Sequence, residues 1–264
     1  MTKKFSLNGF QLKLIGALLM VGDHIHQMFY YAADFTILNM LGRMALPLFL
    51  FMCAEGFYHT RSKTRYSLRL YIAGALMIIA TDIISSVFPI HVHSVVLMNN
   101  IFMTMFLATI AMRAVDLIRE KKVAKGILLF SLPIFSSLLP FLCAQNPFLI
   151  QLAFFIPSYL MVEANIVAII LVLCFYIFRE KRTIQCLCLI IVSFITAVAV
   201  PDFSIMGLFN GQNYQWMMVF AIFLISLYNG KRGKGSKYFF YIFYPAHIYG
   251  LYLLAYYLLQ SGIV

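Results

Sequence analysis

The sequence predicts an all-α fold: a polytopic transmembrane helical bundle of about nine spans, N-terminus cytoplasmic, forming one integral-membrane domain over residues 1–264. Three observations predict it. Of the 264 residues 63% are hydrophobic and only 11% are charged, whereas soluble domains carry about 25% charged residues. Apolar runs long enough to cross about 30 Å of hydrocarbon recur along the whole chain. The basic residues gather in alternate loops, which is the positive-inside pattern. Together these exclude an ordinary soluble domain, a disordered chain and a nucleic-acid-binding protein. The net charge of +11 then reports topology rather than a polyanionic partner.

The spans fall at 10–31, 39–58, 66–88, 95–116, 123–142, 148–178, 184–201, 213–229 and 237–261. The first carries Asp23, His24 and His26 and lacks a small-x-small exit, so it is not read as a cleaved signal peptide. Pro133, Pro157 and Pro245 fall inside spans, where each can bend or interrupt its helix. The long run 148–178 reads as one tilted helix or as a segment broken around Pro157. With nine crossings, 19 of the 20 Lys and Arg share one face, the exception being Arg43; Asp34 and Asp202 lie on its side. Two crossings in 148–178 would destroy that agreement, while one or three preserve it. The cysteines at 53, 143, 174, 186 and 188 show no paired framework and read as packing thiols.

Ionisable groups inside a membrane are costly and generally face a bundle interior or an aqueous cavity. Asp23-His24-Ile25-His26 lies toward the outer half of the first span, with Asp23 and His26 on one helix face. The run reads as a proton-handling site or as an interhelical hydrogen-bond knot. Arg43 needs a partner, for which Asp23 and Asp82 are the candidates. Glu55 lies near the inner end of the second span, within reach of the basic 61–69 loop. His91 and His93 make an H-x-H pair too incomplete for a zinc set, and no metal is expected. Asn99 and Asn100 open the fourth span with neutral donors and acceptors, suited to a polar substrate or to capping. Glu163 falls near the middle of the sixth run, Gln215 enters the eighth span, and Tyr244, Pro245 and His247 enter the ninth. His24 and His247 are expected at different depths. The loop 229–235 is glycine-rich and basic, as a phosphate contact or an ordinary positive-inside loop would be. The chain has no Walker motif, no G-x-G-x-x-G after a strand and no G-x-S-x-G elbow.

Ordered blocks carry a family resemblance. They are Leu18-Leu19-Met20-Val21-Gly22-Asp23-His24; Gly42-Arg43 with Ala45, Pro47 and Phe49; Glu55-Gly56-Phe57 with His59-Thr60; and Asn99-Asn100-Ile101-Phe102. The ending adds Tyr228-Asn229-Gly230-Lys231-Arg232-Gly233, then Lys237-Tyr238-Phe239-Phe240-Tyr241 with Phe243-Tyr244-Pro245 and His247. In this the chain resembles the TraX family of multi-pass membrane proteins over nearly its full length. The family includes a protein implicated in N-terminal acetylation of conjugative pilin. More remotely it is similar to membrane acyltransferases that modify surface polysaccharides with cytoplasmic acyl-CoA.

The resemblance implies a single acyltransferase-like domain in the bacterial inner membrane, using acetyl-CoA or another acyl-CoA as co-substrate. It carries over Asp23, His24, Arg43, Glu55, Asn99, Asn100, Lys237 and His247 as family-motif positions. The expected mechanism has His24, or alternatively His247, as general base with Asp23 tuning the imidazole. Arg43 with Asn99 and Asn100 would stabilise the oxyanion, and Asp82 and Glu163 would face the substrate. Glu55, Lys231, Arg232, Lys234 and Lys237 would receive the donor. The partners are then acyl-CoA, the bilayer and an acceptor at or beyond the membrane: a glycan, a lipid or a peptide amine. Two other classes use the same polar groups: a proton-coupled transporter or flippase for a small anionic solute, and a noncatalytic assembly factor. A transporter commonly shows inverted repeats, and none is visible here.

Overall fold

In lipid every backbone N–H and C=O must be satisfied within the protein, and this chain meets that demand with helices. The structure, a computed structural model, describes residues 5–93, 95–163, 165–198, 214–236 and 238–262. In chain order the helices are α1 (Gly9–Phe29), α2 (Thr36–Gly42), α3 (Ala45–His59), α4 (Lys63–Val87), α5 (Ile101–Arg119) and α6 (Val123–Phe135). A 3₁₀ turn, Ser136–Leu138, leads to α7 (Leu139–Leu142), followed by α8 (Pro147–Ala153), α9 (Asn165–Ile177) and α10 (Arg182–Val198). A 3₁₀ helix, Tyr214–Phe220, runs into α11 (Ala221–Ser226), and α12 (Phe239–Gln260) completes the set. Among the described residues there is no strand, only an isolated parallel bridge between Leu7 and Tyr228.

Among the described residues, five stretches are long and apolar enough to cross a membrane: Thr36–His59, Lys63–Val87, Ile101–Arg119, Val123–Leu142 and Phe239–Gln260. Their exposed faces agree with that reading. Along α4, Leu68, Ile72, Leu76, Ile79 and Ile83 recur at helical spacing and are all exposed, a continuous apolar stripe that suits hydrocarbon and not water.

Element ends follow local chemistry. Asn8 and Gln11 form a capping box at α1, with Asn8 Oδ1 accepting from Gln11 N–H at 3.0 Å and Gln11 Oε1 accepting from Asn8 N–H at 2.9 Å. The 39–58 run is interrupted at Arg43–Met44, between α2 and α3. Pro47 has no N–H to return to the Arg43 carbonyl, so the ladder lapses there. The fourth span starts at Ile101 rather than 95, because the Asn100 side chain accepts from Met103 N–H and caps α5. The 148–178 run is broken: α8 and α9 are separated by non-helical chain that contains Pro157.

Two compact units emerge. The first comprises Met1–Met52, Ile84–Leu97 and Glu180–Val264; the second comprises Cys53–Ile83 and Met98–Arg179. In the first, α1 packs on α2 and α12, while α10 packs on the 214–220 helix. Leu12, Met28, Leu48, Leu50, Phe51 and Ile248 are wholly buried there. In the second, α5 packs on α6 and α9 around Leu107, Met112, Ile169 and Phe175.

Candidate functional site

The first unit gathers the polar side chains of α1, α2 and α12. His24 is 3% exposed, and its Nδ1 stands 2.8 Å from His247 Nε2. The two rings are nearly parallel, at 16°, with centroids 5.0 Å apart. The separations place both nitrogens near the line between the ring centres, so the contact is an edge-to-edge hydrogen bond. His247 Nδ1 in turn lies 2.9 Å from the Phe243 carbonyl oxygen, one helical turn back. The Tyr244 ring packs edge-on to both imidazoles. The expectation that the two histidines sit at different depths is therefore corrected: α1 and α12 bring them into direct contact.

Asp23, one residue before His24, is ion-paired with Arg43. The close approach of α2 to α1 makes this possible. A Cβ at Gly42 would stand 2.9 Å from Asp23 Cγ, so only glycine allows the two helices to meet there. Arg43 also donates to Gln215 Oε1 at 3.2 Å and, through Nε, to the Asn39 carbonyl at 3.3 Å. The guanidinium thus joins α1, α2 and the 214–220 helix, with about a quarter of its side chain exposed. The expected Asp23–His24 partnership gives way to two adjacent pairs: an aspartate engaged by arginine and an imidazole engaged by imidazole. Near the end of α1, Gln27 donates to the Val96 carbonyl and Tyr31 stacks on His93. On α1, α2 and the turn between them are three buried polar atoms without hydrogen-bond partners among the described residues: His26 Nδ1, Tyr31 Oη and Asn39 Oδ1.

At the opposite end of α1, the basic loop is anchored by backbone pairing. Gly9 N–H donates to the Lys231 carbonyl at 2.8 Å and Phe10 N–H to the Arg232 carbonyl at 3.0 Å, filling donors that a helix start leaves open. Gly233 adopts φ +78° against Asn8 and Phe10, which only glycine does without strain. The side chains of Lys231, Arg232 and Lys234 stay exposed. Lys237 and Asp202 lie outside the described residues.

The other expected site residues belong to the second unit. Asn99 Nδ2 donates to Glu163 Oε1 at 3.2 Å, and Asn100 N–H to Glu163 Oε2 at 2.8 Å. Asn100 Nδ2 also donates to the Gly74 carbonyl at 3.0 Å. Glu163 is thus corrected from mid-span to an exposed turn just before α9, because the sixth run is broken ahead of it. Glu55 is buried and paired with Arg179 at 3.1 Å, with His59 at 3.8 Å; Arg179 also lies over the Tyr58 ring. Asp82 is exposed on α4. One cluster had escaped sequence reasoning: Asp116 receives Lys63 and accepts from the Tyr176 hydroxyl at 2.7 Å. The i,i+3 spacing of Arg113 and Asp116 at the end of an apolar run was the available signal. Beyond α5, Arg113 and Lys122 bind Glu120 and hold its carboxyl down to about 2. Among the described residues no group of three or more His, Cys, Asp or Glu could hold a metal ion.

No solved structure matches the chain. A protein of Dichelobacter nodosus, named "Probable fimbrial assembly protein FimC, serogroup H1", is 26% identical over 261 residues, covering 94% of this chain and 96% of that protein. The family model described as TraX protein matches residues 8–255, a range that holds Asp23, His24, Arg43 and His247. The chain belongs to the TraX family.

Proposed function

We propose that this chain is a membrane-embedded acyltransferase. It would move an acyl group, acetyl in the simplest case, from cytoplasmic acyl-CoA to a hydroxyl or amine of an acceptor at or beyond the membrane. The observation that carries the reading is the hydrogen-bonded His24–His247 pair, set one residue from the Asp23–Arg43 ion pair among apolar helices. An imidazole deprotonates the acceptor, a contribution typically of 10²–10⁴-fold. The acceptor then attacks the thioester carbonyl, and Arg43 stabilises the oxyanion, a role in which preorganised donors are most effective in a dry site. Collapse expels the thiolate.

The donor enters from the face that carries Lys231, Arg232 and Lys234. From Gly9, where that loop is anchored, to His24 is 15 residues of helix, about 22 Å at the α-helical rise. A phosphorylated carrier with a long pantetheine arm suits such a span. The nine-crossing topology with a cytoplasmic N-terminus belongs to this proposal, since it turns the basic loop toward the acyl-CoA pool. The relative's fimbrial assembly name favours a peptide amine of a surface filament subunit among the possible acceptors.

The test is acyl transfer from radiolabelled acetyl-CoA by the full chain in nanodiscs, with label followed into lipid, glycan and protein fractions of a membrane extract. Transfer by wild type, with a loss of roughly 10²-fold or more in kcat for folded His24→Gln, is the expected result. Absence of transfer to every fraction, or full turnover by H24Q, overturns it. Solute uptake by vesicles without label transfer would favour a transporter instead.

A further inference from the structure

Arg43 is held at three points. Its Nη2 is ion-paired with Asp23 on α1, and its Nε donates to the Asn39 carbonyl, one turn back on α2, at 3.3 Å. Its Nη1 donates to Gln215 Oε1 at 3.2 Å. A guanidinium carries five N–H donors in a rigid planar fork. Among the described residues these contacts leave one donor on each terminal nitrogen. About a quarter of the side chain is exposed, which lets a substrate reach it. Asp23 and Asn39 both belong to the α1–α2 hairpin. Two anchors define only an axis, about which the plane can still tilt. Gln215 comes from outside the hairpin, 172 residues along the chain, and holds the remaining nitrogen, so it fixes the tilt. Its helix, 214–220, packs on α2, α10 and α11 and buries Met218, which makes it a firm base. Gln215 is also neutral. A second acid there would fix the plane but cancel positive charge, whereas an amide oxygen orients the guanidinium and leaves its charge in place.

We infer that Gln215 is a positioning residue: it sets the plane of Arg43 so that the two remaining N–H groups meet the oxyanion of the tetrahedral species. The inference rests on the acyl-transfer reading given above. As the acceptor's nucleophilic atom bonds to the thioester carbon, the C=O π pair moves onto oxygen and the acceptor's proton goes to the imidazole base. Arg43 donates to that oxygen. On collapse the pair returns to the C=O bond, and the C–S bond breaks with its electrons on sulfur. The imidazolium gives its proton to the thiolate, which leaves as the thiol, and Arg43 is unchanged.

The experiment asks whether Gln215 acts through Arg43. Gln215→Met keeps the length and removes the acceptor oxygen; Gln215→Asn keeps an amide and withdraws it by one carbon. Arg43→Lys keeps a positive charge for Asp23 but has a single nitrogen and no plane to set. In acyl transfer by the full chain in nanodiscs, Q215M and Q215N should each lose roughly tenfold to 10²-fold in kcat, with donor KM unchanged. In the R43K background the same changes should cost less than about twofold. Equal losses in both backgrounds, or wild-type kcat in folded Q215M and Q215N, overturn the inference. Arginine-selective ¹⁵N solid-state NMR of the full chain in bilayers, with Arg43 assigned by difference against R43K, reads the guanidinium without any turnover. Separate Nη1 and Nη2 signals in wild type that merge in Q215M support the inference, and merged signals in wild type overturn it. Separate signals in a chain that transfers no acyl group would keep the three-point hold and remove the reaction. Merged signals in a chain that does transfer would do the reverse, so the two failures are told apart.

Discussion

A single methyl group placed on either side of the α1–α2 contact should have opposite effects. At Gly42 an added Cβ would stand 2.8 Å from Asp23 Oδ1 and 2.9 Å from Cγ, and closer still to Asp23 Cβ. The Cβ of Asp23 is fixed to the α1 backbone, so it cannot swing aside; the helices must part or the Asp23–Arg43 pair must shift. Overpacking of this kind costs about 1–3 kcal/mol. At Gly22, on the other face of the same contact, a Cβ would meet Leu38 Cβ at 3.5 Å and Cδ2 at 3.6 Å. That is ordinary van der Waals contact, so Gly22→Ala should gain up to about 1 kcal/mol from helix propensity. The two alanines should therefore differ by roughly 1–4 kcal/mol. Fluorescence-monitored thermal unfolding in one detergent measures this, and for a chain of this size the gap corresponds to roughly 2 °C or more. If G42A melts with or above G22A, the close approach of Gly42 to Asp23 is not what limits that contact.

Asn100→Ala removes the α5 cap and the link to the Gly74 carbonyl, and should lower stability by about 1–3 kcal/mol while donor KM stays unchanged. An N100A protein with wild-type melting but lost turnover would instead return Asn100 to oxyanion chemistry. Neutralising Lys231, Arg232 and Lys234 together should raise donor KM with little effect on kcat, measured by acyl transfer against acyl-CoA concentration; an unchanged KM leaves those charges as topology alone. Single cysteines introduced at Lys231 and His91 should label from the cytoplasmic and external faces respectively, and external labelling at Lys231 would sink the nine-span orientation.

Much of the helix map was legible because a bilayer demands apolar runs of about 20 residues, and such runs are visible without partners. The Asp23–Arg43 pair was half legible: Arg43 stood alone off the basic face, which required a nearby acid, but Asp82 competed until the structure chose Asp23. The break at Arg43–Met44 was less visible, since hydropathy does not register the hydrogen bond that Pro47 withholds. Glu163 was misplaced for a related reason. A window over 148–178 sees one apolar run, while the chain interrupts it near Pro157 and leaves the carboxylate in a turn. The His24–His247 contact left no local trace at all, because packing of α1 on α12 is a property of the whole unit and not of either span.

The separations along the chain have a bearing on biogenesis. Asp23 meets its arginine only 20 residues later, so the first charged span is neutralised as soon as the α1–α2 hairpin leaves the ribosome. His24 meets His247 across 223 residues of chain, in α12. The ion pair and the imidazole pair are thereby separated in the order of synthesis. A nascent chain that has not yet made α12 carries an electrically balanced first hairpin but not yet the His24–His247 contact. The charge balance of the hairpin is therefore settled early in synthesis, and the polar contact between α1 and α12 is added late.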